Sequence, residues 1–226
     1  MSVTMTKKER IAGWIFLVAM LLLIPLLISG ADRLLHWGLS DAELNFIMFC
    51  VNFALTVLIF RKYLWQSMKA AFRHIWLSLR WAGLGLIIYY GCSFLLNLLY
   101  GWIAPDFVNA NDHSISQMVG GHYTLMAIGT VLLVPVTEET LYRGLIFGSL
   151  AKKNTVLAYI VSALAFSAIH VVGYIGTLSP WHLVLSLVQY LPGGIALALA
   201  CHKGESVWAS ILLHMAINQI GISSMR

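Results

Sequence analysis

Charged residues are scarce in this chain, and their scarcity excludes a soluble globular domain. Only 10% of the 226 residues are charged, whereas 60% are hydrophobic and the mean hydropathy is +0.83. Soluble domains carry about 25% charged residues. The formal net charge is +5, but no basic patch with interleaved aromatic residues accompanies it, so no nucleic-acid partner is expected. The composition predicts an integral membrane protein.

Cysteines are few, and two common hydrolase motifs are missing. The three cysteines, Cys50, Cys92 and Cys201, fall in or at the edge of apolar stretches, which leaves neither a disulfide framework nor a CxxC metal site. No HExxH occurs, which excludes the usual zinc-protease helix. No GxSxG with a serine partner occurs either. Any hydrolytic chemistry must come from other residues.

Seven apolar stretches have about the length that a helix needs to cross ~30 Å of hydrocarbon. They predict an all-α fold, a polytopic transmembrane helix bundle of about seven spans surrounded by membrane lipid. The run from Ile11 to Ile28 in the first stretch has 18 residues and is longer than the h-region of a signal peptide, so we expect a retained span. The stretches are roughly Ile11 to Ser29, Leu44 to Phe60, Trp81 to Ile103, Tyr123 to Leu150, Val156 to Gly173, Leu183 to Cys201 and Val207 to Ser223.

Lysine and arginine alternate sharply between the two sides of such a bundle, which predicts its orientation. One side holds only Arg33 and Arg226. The N-terminus is therefore predicted to be cytoplasmic and the C-terminus external, in a multi-pass protein of the cell membrane. The basic side holds Lys7, Lys8, Arg10, Arg61, Lys62, Lys69, Arg73, Arg80, Lys152, Lys153 and Lys203.

Two connections between spans are distinctive. Residues 61 to 80 mix basic and apolar positions as an interfacial helix would, but we expect a solvated loop that anchors the next span to anionic lipid. Residues 104 to 122 form the one long polar connection. It divides residues 1–119, an N-terminal scaffold of three spans, from residues 120–226, a bundle of four spans that carries most of the ionisable residues inside its spans and is therefore expected to hold the functional site.

The stretch VPVTEETLYRG, residues 134 to 144, sets two carboxylates and an arginine in an apolar span. Each such charge costs about 2.5 to 3.5 kcal/mol at mid-membrane, so the charges must be compensated. Glu139 and Arg143 are i,i+4 with the acid on the N-terminal side, which favours an ion pair on one helix face. Glu138 is rotated by about 100° from Glu139. We expect it to face a water-containing cavity.

Counting residues from the turns predicts which groups share a depth. Glu138 and His170 are each 16 residues from Asn154, which puts both roughly 24 Å from that turn. His214 and Asn218 lie at i,i+4 on one face of the last span. His214 is opposite Gly194, where small residues allow close helix approach, but it lies only about 15 Å from its own turn. A shared site therefore requires tilted helices or turns that end at different heights.

These residue types suit hydrolysis of an amide bond. A carboxylate with an imidazole can hold a water and take its proton, while a His and Asn pair can donate hydrogen bonds to an oxyanion. Glu138, His170 and His214 are also an acceptable Zn²⁺ ligand set. A ligating Glu138 would keep little basicity, however, and Asn218 is a poor zinc ligand, so the residue chemistry favours a metal-independent site. Each polar group alone could equally serve helix packing.

Three motifs in this order resemble the CPBP family of intramembrane proteases. EETLYR resembles its EExxxR motif, FSAIH (Phe166 to His170) its FxxxH motif and HMAIN its HxxxN motif. The glycine-containing stretch PGGIALALACHKGESVWASILLH leads into the third motif, and the resemblance covers about residues 120 to 223. This family, also called Abi, includes type II CAAX prenyl endopeptidases and bacterial proteins linked to bacteriocin processing or immunity.

The resemblance implies a role for each matching residue. Glu138 and His170 would activate the water, His214 and Asn218 would stabilise the oxyanion, and Glu139 with Arg143 would hold the site together. Family members have been described both as metalloproteases and as glutamate-dependent hydrolases, so the family leaves the use of Zn²⁺ open.

We therefore expect an intramembrane endopeptidase that acts on a peptide, a lipopeptide or a membrane-protein segment. The alternative from another class is a non-catalytic immunity or scaffold protein of a peptide or bacteriocin system. A proton-relaying transporter is a third reading. The absence of broken-helix pairs in two matching halves of the sequence counts against the transporter.

Overall fold

The computed structural model describes residues 3–225, so Arg226, which the charge pattern assigned to the external side, lies outside the described residues. Among residues 3–225 no β-strand occurs, apart from an isolated bridge between Ile175 and Leu178. We number the helices of this part of the chain α1 (Lys7–Leu35), α2 (Asp41–Ile59), α3 (Arg61–Arg73), α4 (Ile75–Ile103), α5 (Ala110–Leu150), α6 (Thr155–Val172), α7 (Pro180–Lys203) and α8 (Val207–Ser224).

Helix length and hydropathy identify a multi-pass membrane protein. Six helices, α1, α2, α4, α5, α6 and α7, are long and apolar enough to cross a membrane. The last predicted span is α8, whose 18 residues include the polar His214, Asn218 and Gln219, which lower its hydropathy. The prediction of an all-α polytopic bundle of about seven spans is confirmed.

The prediction of a solvated loop in residues 61 to 80 was wrong, because this segment forms helix α3 and the start of α4. Tyr63, Leu64 and Ser67 are buried on one face of this helix. The indole Nε1 of Trp208 donates to the carbonyl oxygen of Leu64 at 3.0 Å, and Ser206 Oγ donates to that of Ser67 at 2.8 Å. The apolar residues that lie between the basic ones therefore form one face of α3, and this face packs on α8.

Polar side chains fix where most helices begin. Thr6 and Ser40 form capping boxes with Glu9 and Glu43, so that two backbone donors are satisfied reciprocally at the start of α1 and α2. The starts of α5 to α8 are capped by single side chains, which accept from backbone N–H groups of the first turn. These are Asn109, Asn154, Ser179 and Ser206.

One end of the bundle gathers the basic connections, and we call it the basic end. It comprises residues 60–75, 151–154 and 203–206 and holds seven of the 13 lysine and arginine residues that the structure describes. Ser78 Oγ donates to the carbonyl oxygen of Gly204 at 3.3 Å, which joins α4 to the α7–α8 connection. Tyr159 Oη and His202 Nδ1 lie 2.9 Å apart, which joins the start of α6 to the end of α7.

The opposite end holds the connections 36–40, 104–109 and 173–179. The polar connection predicted at 104 to 122 is helical from Ala110 onward, with a kink at His122, where φ is −138° and ψ is 50°. We call residues 110–122 the crossing segment. At its beginning Tyr174 Oη donates to the carbonyl oxygen of Ala110 at 3.3 Å, and at its end Ser40 Oγ lies 3.3 Å from His122 Nε2. The segment thus crosses this end from α6 to α2.

Candidate active site

The paired glutamates lie in the middle of α5, between two stretches of π-helix. The α-helical turn Val134–Glu139 is flanked by Ile128–Leu133 and Thr140–Phe147, both of which have π-helical hydrogen bonding. Such wide turns redirect side chains and recur at functional sites. Here Glu139 is fully buried, whereas Glu138 is partly exposed and lines a cavity.

Glu139 is the centre of a buried hydrogen-bond network. Its Oε1 accepts from Arg143 Nη1 at 2.9 Å, which is the ion pair expected from the i,i+4 spacing. The same oxygen lies 2.9 Å from His214 Nδ1 on α8. Arg143 Nη2 donates to the carbonyl oxygen of Gly194 on α7 at 2.9 Å. The pair therefore holds α5, α7 and α8 together, which the sequence did not indicate for His214.

The carbonyl of Gly194 lies where two helices approach closely. A Cβ on Gly194 would lie only 2.9 Å from the Cα of Ala163 on α6. Counting from the turn predicted that Gly194 would allow an approach to α8, but the contact that requires a glycine is with α6. This contact brings the Gly194 carbonyl within reach of Arg143.

The contact with Glu139 determines the proton on His214. A carboxylate only accepts hydrogen bonds, so Nδ1 of His214 must carry the proton that Glu139 accepts. Nε2 then carries a second proton only when the ring is an imidazolium. Donation by His214 to a ligand therefore requires this cationic form.

His170 has one nitrogen fixed and one free for chemistry. Its Nδ1 lies 2.8 Å from the carbonyl oxygen of Phe166, so Nδ1 carries the proton and Nε2 has a lone pair when the ring is neutral. The ring packs on Phe166, with centroids 4.8 Å apart. It also stacks on Tyr190, with centroids 4.3 Å and planes 25° apart.

A cavity of about 780 Å³ brings the four proposed catalytic side chains together. Glu138, His170, His214 and Asn218 all line it. The cavity wall also includes residues of the first half of the chain, among them Ser40 and Phe49 of the α2 region and Tyr89 of α4. The site therefore lies between the two halves rather than inside the second half alone.

Asn218 and Glu138 differ in the hydrogen bonds that their side chains already form. Asn218 Nδ2 donates to the carbonyl oxygen of Thr130 at 2.7 Å, which leaves its second N–H for a ligand. Glu138 Oε2 is buried, and within residues 3–225 it has no hydrogen-bond partner. A buried carboxylate oxygen without a partner is costly. Glu138 is therefore the group in this cavity that gains most from a ligand that donates a hydrogen bond.

The side chains do not form a ready metal site. Among the described residues, no three His, Cys, Asp or Glu side chains are grouped so that they could hold an ion. The set His170, His214 and Glu138 considered from the sequence does not fit Zn²⁺ in this arrangement, because these three side chains are not grouped around one point. We derive no step through a metal.

Sequence reasoning did not single out Tyr190 and Asp112. Tyr190 Oη donates to Asp112 Oδ1 at 2.7 Å and accepts from Asn111 Nδ2 at 3.0 Å, which connects the ring stacked on His170 to the crossing segment. Turn counting offered a signal for Tyr190: it lies 14 residues from Gly204, near the level of His170. No such signal exists for Asp112, because it lies in a polar stretch outside the spans.

Residues 120–220 match a family model described as type II CAAX prenyl endopeptidase Rce1-like. The matched range contains all six of the residues singled out from the sequence: Glu138, Glu139, Arg143, His170, His214 and Asn218. No curated protein and no solved structure matches the chain.

Proposed function

We propose that this membrane protein is an endopeptidase in which Glu138 and His170 activate a water, because residues 120–220 match the family model of Rce1-like type II CAAX prenyl endopeptidases. The observation that carries the proposal is the Glu138 carboxylate, which has a buried oxygen without a partner in a cavity shared with His170, His214 and Asn218. The substrate is a peptide bond of a peptide, a lipopeptide or a membrane-protein segment.

In the proposed reaction Glu138 is the general base. A water that donates to the Glu138 carboxylate and to His170 Nε2 is oriented for attack, because both acceptors are free for it. The water oxygen bonds to the carbonyl carbon while its proton moves to Glu138. When the tetrahedral intermediate collapses, the C–N bond breaks and Glu138 returns this proton to the leaving amine.

His214 and Asn218 are proposed to stabilise the negative charge that develops on the carbonyl oxygen. The imidazolium form of His214 can donate from Nε2, and Asn218 can donate from the N–H that Thr130 does not accept. Glu139 accepts from Nδ1 and so fixes the ring orientation, while Arg143 holds Glu139 and the Gly194 carbonyl. Glu139 and Arg143 are therefore positioning residues in this scheme.

The arrangement in the membrane is proposed from the charge pattern. The excess of lysine and arginine at the basic end favours a cytoplasmic N-terminus in the cell membrane. Residues 1–119 act as a scaffold of three spans, and their α2 and α4 side chains form part of the cavity wall. Residues 120–226 supply the reacting groups.

The proposal is tested with the purified protein in detergent. A panel of internally quenched fluorogenic peptides, including a prenylated CAAX tail and its unprenylated form, is incubated with the wild-type protein. We expect cleavage of at least one peptide, and we expect it to persist after stripping with a membrane-compatible chelator and elemental analysis. Folded protein that cleaves no peptide would favour the non-catalytic immunity or scaffold role. Activity that is lost on stripping and returns with stoichiometric Zn²⁺ would make His170 and His214 ligands.

A further inference from the structure

The cavity reaches only one end of the bundle. Its wall includes Ser40 and Asp41 at the start of α2, Tyr174 after α6, and Met225 after α8, all at the end opposite the basic end. Among the described residues that line it, none comes from the basic-end connections 60–75, 151–154 and 203–206. A substrate cannot follow this cavity from the basic end.

The exposure of the residues that line the cavity shows where the cavity opens and where it ends. Asp41 and Gln117, which line it at the end opposite the basic end, are exposed polar side chains. Leu197 and His214, at its inner limit, are 1% and 4% exposed. Glu138 and His170 lie between, and His170 is in the last turn of α6. The cavity therefore opens beside the crossing segment and closes toward the middle of the bundle.

We propose that the substrate segment reaches Glu138 from the end opposite the basic end, and therefore from the non-cytoplasmic face of the membrane. Lysine and arginine mark the cytoplasmic side of membrane proteins. The described segments 60–75, 151–154 and 203–206 at the basic end hold seven Lys and Arg residues, whereas the opposite end has Arg33 in the last turn of α1. The inference rests on the proposed peptidase function. It assigns to this site a peptide or a membrane-protein segment that has been translocated or is exposed outside the cytoplasm.

The test combines orientation and activity in one bacterial host. Cys50 and Cys92 are replaced by alanine, and the fully buried Cys201 is kept. Thr177→Cys and Lys153→Cys, both at exposed positions, report the two ends through a membrane-impermeant maleimide applied to spheroplasts. Cleavage of an impermeant quenched peptide without acidic residues is then measured with spheroplasts and with inverted vesicles. Glu138→Gln gives the background, and detergent-solubilised membranes give the total activity.

We expect labelling of Thr177→Cys but not of Lys153→Cys in spheroplasts, and cleavage by spheroplasts. Inverted vesicles should show almost no cleavage before detergent is added, because the cavity opening then faces the vesicle interior. Cleavage by inverted vesicles but not by spheroplasts would overturn the inference, as would labelling of Lys153→Cys alone in spheroplasts. Neither result would affect the proposed peptidase function, whose failure would appear as absent cleavage in detergent.

The ring contacts of His170 carry a second inference independently. The imidazole contacts the rings of Phe166 and Tyr190, and the Tyr190 hydroxyl is held by Asp112 and Asn111 of the crossing segment. The Phe166 carbonyl fixes Nδ1, and the near-parallel stack on Tyr190 fixes the plane of the ring. We infer that Tyr190 is a positioning residue that aims His170 Nε2 at the water.

Tyr100 provides a matched control for Tyr190. Tyr100 Oη also tethers α7, by donating to the carbonyl oxygen of Leu185 at 2.7 Å, but Tyr100 does not line the cavity. Tyr190→Leu is expected to lower kcat by about 10-fold or more, in the range for groups that orient a functional histidine, with little change in KM. Tyr190→Phe keeps the stacked ring and should recover most of kcat. Tyr100→Leu should lower Tm but leave kcat unchanged.

This inference also rests on the proposed function, and the outcomes separate the two. A wild-type protein without cleavage would contradict the peptidase function. An active wild-type protein with equal kcat in Tyr190→Leu and Tyr100→Leu would contradict only the role of Tyr190. Failure of Tyr190→Phe to recover kcat would also overturn that role.

Discussion

Glu138→Gln is expected to abolish cleavage while leaving Tm in detergent nearly unchanged. General-base catalysis contributes about 100- to 10,000-fold, and the amide cannot take the proton of the attacking water. Gln has the shape of Glu, and Glu138 forms no ion pair within residues 3–225 whose loss could unfold the bundle. Cleavage rate and thermal unfolding are measured on the same purified sample.

The control for this substitution is the neighbouring carboxylate. Glu139→Gln makes the same chemical change one residue away but weakens the contacts to Arg143 and His214. It should therefore lower Tm as well as the cleavage rate. If Glu138→Gln lowered Tm as much as Glu139→Gln, the assignment of Glu138 as the base and Glu139 as the positioning residue would be contradicted.

Arg143→Ala is expected to lower both the stability and the activity. Removing one partner of a buried ion pair costs about 3 to 5 kcal/mol, because the other charge is left uncompensated. Here the change leaves Glu139 without its arginine partner and the Gly194 carbonyl without its donor. The cleavage rate should fall because Glu139 no longer holds His214 in one orientation. Thermal unfolding and fluorogenic cleavage measure the two effects.

A double substitution separates the two roles of this pair. Replacing Glu139 and Arg143 together by methionine removes both charges, which often restores much of the stability lost in a single variant. Cleavage should remain low in the double variant, because His214 Nδ1 has no carboxylate to accept its proton. An Arg143→Ala protein with wild-type Tm would show that the pair does not stabilise the bundle.

The spans and the buried ion pair could be predicted because each depends on local information. Hydropathy over about 20 residues defines a span, and the i,i+4 spacing of Glu139 and Arg143 is a property of one helix. The helical face of α3 was also present in the sequence, in the spacing of Tyr63, Ser67 and Ala71. This pattern indicated a helix, but more weight was given to the basic residues, and a solvated loop was therefore expected.

The relative depth of residues on different helices could not be predicted in the same way. Counting from Asn154 and Gly204 placed His214 about 9 Å nearer the basic end than Glu138, yet His214 Nδ1 lies 2.9 Å from the adjacent Glu139. The count assumed that both turns end at one height and that every helix is regular. The π-helical stretch Thr140–Phe147 between Glu139 and its turn breaks the second assumption. The roles of the six site residues remain predictions until the variants are measured.

The ring of Phe166 limits how far the two imidazoles of this site can move relative to each other. Its ring lies 4.6 Å from the Arg143 guanidinium carbon and has centroid separations of 4.8 Å from His170 and 5.7 Å from His214. Close-packed interiors change volume little, so one benzene ring acts as the spacer that sets the distance between the two imidazoles. In the proposed reaction, a peptide carbonyl has to fit that distance as its carbon changes from planar to tetrahedral. In that scheme the volume of this single side chain limits which scissile bonds the cavity can hold, although Phe166 takes no part in moving protons.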